Sequence, residues 1–139
     1  MKGNCQCCGV ELDLMGNGRV PAHRHDHLPK STHGVYPGFY PDHDCMGSNL
    51  YPMQQNRRIT DLKVESIRSA ATGLRHKARQ YAAGSRIPPR VTADAWQQLT
   101  DEQRKETLIH REMMCNDLAQ HGENLAASIE SLANQLNPG

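Results

Sequence analysis

Residues 100–136 read TDEQRKETLIHREMMCNDLAQHGENLAASIESLANQL, and this stretch decides the fold class. It opens with Thr100 and Gln103 in a capping-box pattern, which is typical of a helix N-terminus. Two rows of residues at seven-residue spacing follow, regular after residue 115 and ragged before it: Leu108, Cys115, Gly122, Ile129 and Leu136, then Arg111, Leu118, Leu125 and Leu132. These rows predict one long helix with a narrow seam. Gly122 is expected to weaken it, because glycine costs about 1 kcal/mol relative to alanine inside a helix.

A second helix is predicted upstream, over residues 57–83. Its apolar residues recur at helical spacing: Ile59, Leu62, Ile67, Ala70, Leu74, Ala78 and Tyr81. Gly84 ends this helix, and Thr92 is the predicted N-cap of a short helical turn that precedes the long helix. Because the connection is short, we expect residues 57–139 to form an antiparallel, coiled-coil-like hairpin of two helices.

Residues 1–56 form a Gly- and Pro-rich segment in which no helical period survives. Asn17-Gly18 predicts a tight hairpin turn between short strands at 11–15 and 19–22. The aromatic stretch at 35–41, VYPGFYP, is expected to form a small core. The predicted fold class is therefore mainly α, with a small zinc-binding module over residues 1–56 that contains a short hairpin, followed by the two-helix hairpin.

The zinc prediction begins with Cys5 and Cys8, a C-x-x-C pair followed by Gly9. Such a knuckle lets two thiolates reach one ion, and the glycine permits the tight turn beneath the metal. Tetrahedral zinc needs two more ligands, and the best downstream candidates are Cys45 and one histidine of His23, His25 and His27. Cys7 could also replace Cys5 or Cys8. A set of three cysteines and one histidine is a closed, structural site with no open position for water.

The same segment resembles a motif of small bacteriophage proteins. That motif has a CxxCG knuckle, a hairpin with Asn-Gly at its tip, a single histidine and a closing C-x-G-S, and the resemblance covers about the first 50 residues. It implies a phage or prophage origin and four zinc ligands: Cys5, Cys8, His23 and Cys45. The interval from His23 to Cys45 is longer than in the motif and rich in histidine. Three further histidines could therefore replace His23: His25, His27 and His43.

Composition and charge bear on stability and partners. The 139 residues carry a net charge of +1 and are only 37% hydrophobic, so a metal and a helical seam are expected to supply stability that a small core lacks. The charge is −1 over residues 1–56, +7 over 57–91 and −5 over 94–130. Either the oppositely charged helices pair along their seam, or the basic helix binds nucleic acid. The basic residues of the second interpretation include Arg57, Arg58, Arg68, Arg75, Lys77 and Arg79.

Helix length predicts a partner-binding surface. At 1.5 Å per residue, residues 57–83 span roughly 40 Å and residues 100–136 roughly 55 Å, so the second helix should extend past the first. The overhang would expose part of the seam: Leu125, Ile129, Leu132 and Leu136. Such a surface is expected to bind a host protein or nucleoprotein complex, or a second copy in a homodimer.

The predicted function is a non-enzymatic, zinc-stabilised binding protein, for example an anti-CRISPR-like counter-defence inhibitor of a phage. No apolar run is long enough for a membrane span and no secretory signal is visible, so the expected location is the host cytoplasm. Nucleic-acid binding is the first alternative. A metal-dependent hydrolase is the second, because residues 23–27 read HRHDH. Thiolate-rich sites are usually structural, which favours the non-enzymatic interpretation.

Overall fold

The computed structural model describes residues 1–25, 27–28, 36 and 43–138. The described residues are mainly helical, with 54% helix and 5% strand, and they form a short two-stranded hairpin and two long helices that pack together, which confirms the predicted fold class. Its elements are β1 (Lys2–Asn4), β2 (Glu11–Asp13), α1 (Arg58–Ala82), α2 (Ala93–Gln98) and α3 (Asp101–Leu136). Among the described residues, no helix combines the length and the apolar character that a bilayer crossing requires.

The chain divides into two compact units. The first contains Met1–Ser69 and His121–Gly139, and the second contains Ala70–Gln120. The first unit therefore combines the cysteine-rich segment with the start of α1 and the end of α3. The second holds the end of α1, all of α2 and the start of α3.

The sheet of the first unit is an antiparallel pair in which Gly3 of β1 lies opposite Leu12 of β2. The predicted hairpin is wrong in its pairing, because β2 pairs with β1 and not with residues 19–22. The turn at Asn17-Gly18 is present, with Gly18 at φ +79° and its N–H bonded to the carbonyl of Met15 at 2.8 Å. Before the turn, β2 lies within the predicted strand at 11–15, whereas no strand is assigned at residues 19–22. After the turn, the N–H of Val20 donates to the carbonyl of Leu50 at 2.8 Å, so the chain pairs with a distant segment.

Local capping signals correctly place the helix ends. Gly84 has φ +72° just after α1, as the left-handed residue that commonly ends a helix. Thr92 is the N-cap of α2, and its side chain accepts a hydrogen bond from the N–H of Ala95 at 3.1 Å. At the start of α3, Thr100 Oγ1 accepts from the N–H of Gln103 at 3.1 Å, while Gln103 Oε1 accepts from the N–H of Thr100 at 2.9 Å. The capping box is thus confirmed.

The buried rows of the long helices match the predicted seam only in part. Gly122 and Ile129 of α3 are buried as predicted, and so are Ile67, Ala78 and Tyr81 of α1. In α3, the leucine row at 118, 125 and 132 is only half-buried, and the neighbouring alanine row is fully buried: Ala119, Ala126 and Ala133. In α1, Val64 and Ala71 are buried, whereas Leu62 is 54% exposed. Hydrophobicity alone favours leucine over alanine as the seam residue. Small side chains let two helices approach closely, and this favours alanine at the contact.

Gly122 has a packing role that its helix propensity does not indicate. It is buried within α3, and a Cβ built on it would overlap the phenol ring of Tyr36. The Tyr36 side chain is 1% exposed, so it lies in the core of the first unit. Tyr36 is the only described residue of the aromatic stretch at 35–41, and the remaining six lie outside the described residues.

Candidate metal centre

The first knuckle of the candidate centre is the loop that joins β1 to β2. The N–H of Cys7 donates to the Sγ of Cys5 at 3.3 Å, and the N–H of Gly9 donates to the carbonyl of Cys5 at 2.9 Å. Gly9 has φ +78°, a conformation that glycine adopts without steric cost. Because the strands on both sides are paired, Cys5 and Cys8 are held on a fixed turn.

The second knuckle is the turn that begins at Cys45. The N–H of Gly47 donates to the Sγ of Cys45 at 3.4 Å, so both knuckles contain an N–H to sulfur bond from the residue two places on. A Cβ on Gly47 would overlap the Sγ of Cys5 and would lie 3.4 Å from the backbone nitrogen of Cys7. Glycine at this position is therefore what allows the two knuckles to approach each other.

His23 completes the group from the segment that precedes the second knuckle. Its Nε2 lies 3.3 Å from the Sγ of Cys8, and its Nδ1 lies 2.8 Å from the carbonyl oxygen of Pro21. An imidazole that donates its Nδ1–H to a carbonyl presents the Nε2 lone pair to a metal, which is the usual arrangement of a metal-binding histidine. The backbone also fixes His23, since its carbonyl accepts from the N–H of Cys45 at 2.7 Å.

The four predicted ligands converge in the structure. The ligand atoms of Cys5, Cys8, His23 and Cys45 all lie within 4.8 Å of one another, and three of the four residues are buried. The Sγ atoms of Cys5 and Cys45 are 3.7 Å apart. Zinc–sulfur bonds of about 2.3 Å at tetrahedral angles place two sulfurs about 3.8 Å apart, so this spacing suits one tetrahedral ion.

The electrostatics of the cluster favour thiolates at two of the cysteines. Hydrogen bonds from Cys5, Cys7 and Cys8 lower the pKa of Cys45 well below its usual range. The pKa of Cys5 is lowered to about 6: Cys45 raises it, but hydrogen bonds from Cys7 and Cys8 outweigh that effect. The thiolate is the form of cysteine that binds a metal, so Cys5 and Cys45 are prepared for coordination.

The alternative ligands do not join this group. Cys7 is buried beside the cluster, but its sulfur is not among the mutually close ligand atoms of the described residues. His27 Nε2 lies 3.4 Å from the carbonyl oxygen of Cys8 rather than from a sulfur. His25 is buried and His43 is exposed, and neither belongs to the group. The four donors of the group are the number that a tetrahedral metal ion takes in a closed site.

The predicted partner-binding row is not an exposed overhang. Ile129 is 4% exposed, and the other three members are half-buried: Leu125, Leu132 and Leu136. A Cβ on Gly9 would lie 3.2 Å from the Leu132 side chain, so this part of α3 packs against the first knuckle. The prediction of exposure is wrong because it compared α3 only with α1 and left out packing against residues 1–56.

Half of the predicted basic surface is engaged within the protein. Arg68 donates to both carboxylate oxygens of Glu130, at 2.8 and 3.2 Å. Arg57 donates to the carbonyl of Asn137 at 2.7 Å, and Arg75 donates to two side-chain amide oxygens of α3 at 3.1 Å. Of these contacts, the one between Arg68 and Glu130 joins opposite charges of α1 and α3, whereas Arg57 and Arg75 bind neutral acceptors. The other three predicted residues are exposed: Arg58, Lys77 and Arg79.

Two residues near the centre, Gln6 and Lys63, are not predicted from the sequence. The Gln6 side chain accepts from the N–H of Ile59 at 3.1 Å and donates to the carbonyl of Tyr51 at 2.9 Å, so it ties the first knuckle to the first turn of α1. No sequence pattern announces this role. Lys63 is buried on the inner face of α1. Its position four residues before Ile67 is a sequence signal for this burial, because residues four apart share one face of a helix.

Comparison with protein-family models, curated proteins and solved structures finds no match for this chain.

Proposed function

We propose that Cys5, Cys8, His23 and Cys45 bind one Zn²⁺ ion as a closed structural centre. The convergence of their four ligand atoms within 4.8 Å is the observation that carries this proposal. Three thiolates and one imidazole are a donor set that zinc commonly accepts in structural sites. The N–H to sulfur bonds in both knuckles and the carbonyl partner of His23 give further support, because such second-shell contacts orient metal ligands.

The proposed role of the ion is to hold together a segment with little secondary structure. Residues 1–56 contain only two strands of three residues each among the part that is described. Closing the two knuckles over one ion links residues 5–8 to residues 23 and 45, and the free energy of metal binding then stabilises the fold. A filled tetrahedral shell supports a non-enzymatic function.

Elemental analysis and treatment with the chelator EDTA test the zinc centre. Protein purified without added metal should contain about one zinc per chain, and EDTA should lower its thermal unfolding temperature. The double variant Cys5→Ser/Cys45→Ser should lack zinc, whereas Cys115→Ser is a matched control because Cys115 lies in α3 outside the cluster. Metal-free protein whose unfolding EDTA leaves unchanged would show that the proposal is wrong.

We further propose that the zinc-stabilised protein acts by binding a host protein or nucleoprotein complex through its helical hairpin. With the row at 125–136 packed inward, the apolar side chains that α3 leaves exposed are Ile109, Met113 and Met114, at 46%, 59% and 40%. Flexible methionines suit contact with a protein partner. The phage motif in the first 50 residues supports a phage origin, and a counter-defence inhibitor of the anti-CRISPR type would act in this way.

Salt dependence separates this proposal from nucleic-acid binding. Affinity capture from bacterial lysate should retain its partner at roughly 0.5 M salt. Met113→Asp should abolish this capture, whereas Met15→Asp should not, since Met15 is an exposed methionine outside both knuckles and outside α3. Direct binding to duplex DNA that weakens steeply with salt would favour the nucleic-acid alternative. Light scattering reports whether a second copy of the chain is the partner. Hydrolytic activity that survives Cys5→Ser but not His25→Ala would contradict the non-enzymatic interpretation.

A further inference from the structure

Lys63 is an unusual residue for its position. Its side chain is on the inner face of α1, where residues 60, 64 and 67 are also buried, and Lys63 itself is only 8% exposed. A lysine is almost never this deeply buried unless an opposite charge or a polar partner compensates it. The surroundings of α1 in the first unit include the cysteine-rich segment, where the side chains of Cys7 and Cys45 act on Lys63.

The inner face of α1 is turned towards the first knuckle. The N–H of Ile59, in the first turn, donates to the side-chain oxygen of Gln6, which lies between the ligand Cys5 and the neighbour Cys7. Lys63 follows one turn later on the same helix. Burial lowers the pKa of Lys63, and the nearby side chains of Cys7 and Cys45 act in the opposite direction and raise it.

The charge of the proposed centre explains why an ammonium belongs there. One Zn²⁺ ion bound by three thiolates and a neutral imidazole carries one net negative charge, and that charge would be buried. A buried charge is costly unless it is compensated, and one ammonium group neutralises the centre. We propose that Lys63 is the positioning residue that supplies this counter-charge, so that metal binding and the docking of α1 against the two knuckles stabilise each other. This inference rests on the zinc centre proposed above.

The test compares three variants of the full-length protein by competition for Zn²⁺ with a chromogenic chelator. Lys63→Met keeps the length of the side chain and removes the charge, so zinc affinity should fall by about 10–100-fold, the usual cost of losing an outer-shell partner. Lys63→Arg keeps the charge and should restore affinity to within a few-fold. Lys77→Met removes an exposed lysine of the same helix and should leave affinity unchanged.

The outcomes distinguish charge from packing. A merely structural lysine would be replaced well by methionine, so Lys63→Met binding zinc as tightly as the unmodified chain would overturn the inference. If Lys63→Met does not fold, rescue of both folding and zinc affinity by Lys63→Arg supports it, and failure of that rescue overturns it. Loss of zinc binding already in the unmodified chain would instead refute the proposed centre itself.

Discussion

The contact between Gly122 and Tyr36 yields a prediction whose sign differs from that of helix propensity. Replacing glycine by alanine within a helix ordinarily stabilises it by about 1 kcal/mol. At Gly122 the new methyl group would overlap the ring and hydroxyl of Tyr36, which is 1% exposed and cannot turn into solvent without leaving the core. Gly122→Ala is therefore expected to destabilise the protein.

The expected loss of stability is the steric cost of the new methyl group minus the gain in helix propensity. Forcing an extra carbon into a packed core costs about 1–3 kcal/mol, and losing a buried aromatic side chain altogether costs about 3–5 kcal/mol. We expect the steric cost at Tyr36 to lie between these two values. Subtracting the gain in helix propensity leaves a net loss in the free energy of unfolding of about 1–3 kcal/mol. Gly73 in α1 provides a matched control, since a Cβ there has no heavy atom within 4 Å. Gly73→Ala should stabilise the protein by up to about 1 kcal/mol.

Urea denaturation of the zinc-loaded protein, followed by circular dichroism at the helical band, measures both variants. The expected result is a lower midpoint for Gly122→Ala and a higher midpoint for Gly73→Ala. The double variant Gly122→Ala/Tyr36→Leu should lose less stability than the sum of its single variants, because the smaller side chain relieves the overlap. If Gly122→Ala stabilises the protein as Gly73→Ala does, Tyr36 does not pack on α3 and the reasoning is refuted.

Three further predictions concern the centre and one helix end. Gly47→Ala should abolish zinc binding in elemental analysis because its Cβ overlaps the Sγ of Cys5, whereas Gly16→Ala, which has open space around it, should leave the zinc content unchanged. Cys7→Ser should retain one zinc per chain, and a halved zinc content would return Cys7 to the ligand set. Thr100→Ala should lower the free energy of unfolding by about 1 kcal/mol in urea titrations, since it removes the reciprocal capping bonds of α3; an unchanged value would mean that this helix end contributes nothing.

Local chemistry made several features predictable from the sequence. The capping residues Thr92 and Thr100 and the left-handed Gly84 act on their immediate neighbours, so their patterns place the helix ends correctly. The candidate ligand set was similarly accessible, since Cys5 and Cys8 form a C-x-x-C pair and Cys45 and the histidines at 23–27 are the best downstream candidates. Spacing alone does not distinguish His23 from the other nearby histidines, whereas the structure does, because the ring nitrogen of His23 lies with the sulfurs of Cys5, Cys8 and Cys45.

Features that depend on distant segments could not be predicted in the same way. The strand at Lys2–Asn4 pairs with Glu11–Asp13 through a knuckle whose geometry the cysteines set, and no alternating pattern marks so short a strand. The row of α3 that contains Gly122 and Ile129 is buried as predicted, but the alanine row that accompanies it is less hydrophobic than the leucine row beside it, so hydrophobic periodicity indicated the wrong companion row. The role of Gly122 depends on Tyr36, which is far from it along the chain, and helix propensity contains no information about such contacts.

X-ray absorption at the zinc edge tests the central claim most directly, because it reports both the metal and its ligand atoms. We predict one zinc per chain with three sulfur neighbours at about 2.3 Å and one nitrogen at about 2.0–2.1 Å, as the convergence of Cys5, Cys8, His23 and Cys45 requires. In His23→Ala the nitrogen contribution should disappear while the three sulfurs remain. Protein without zinc, or a shell with four sulfurs or with an oxygen ligand in the unmodified chain, would contradict the account.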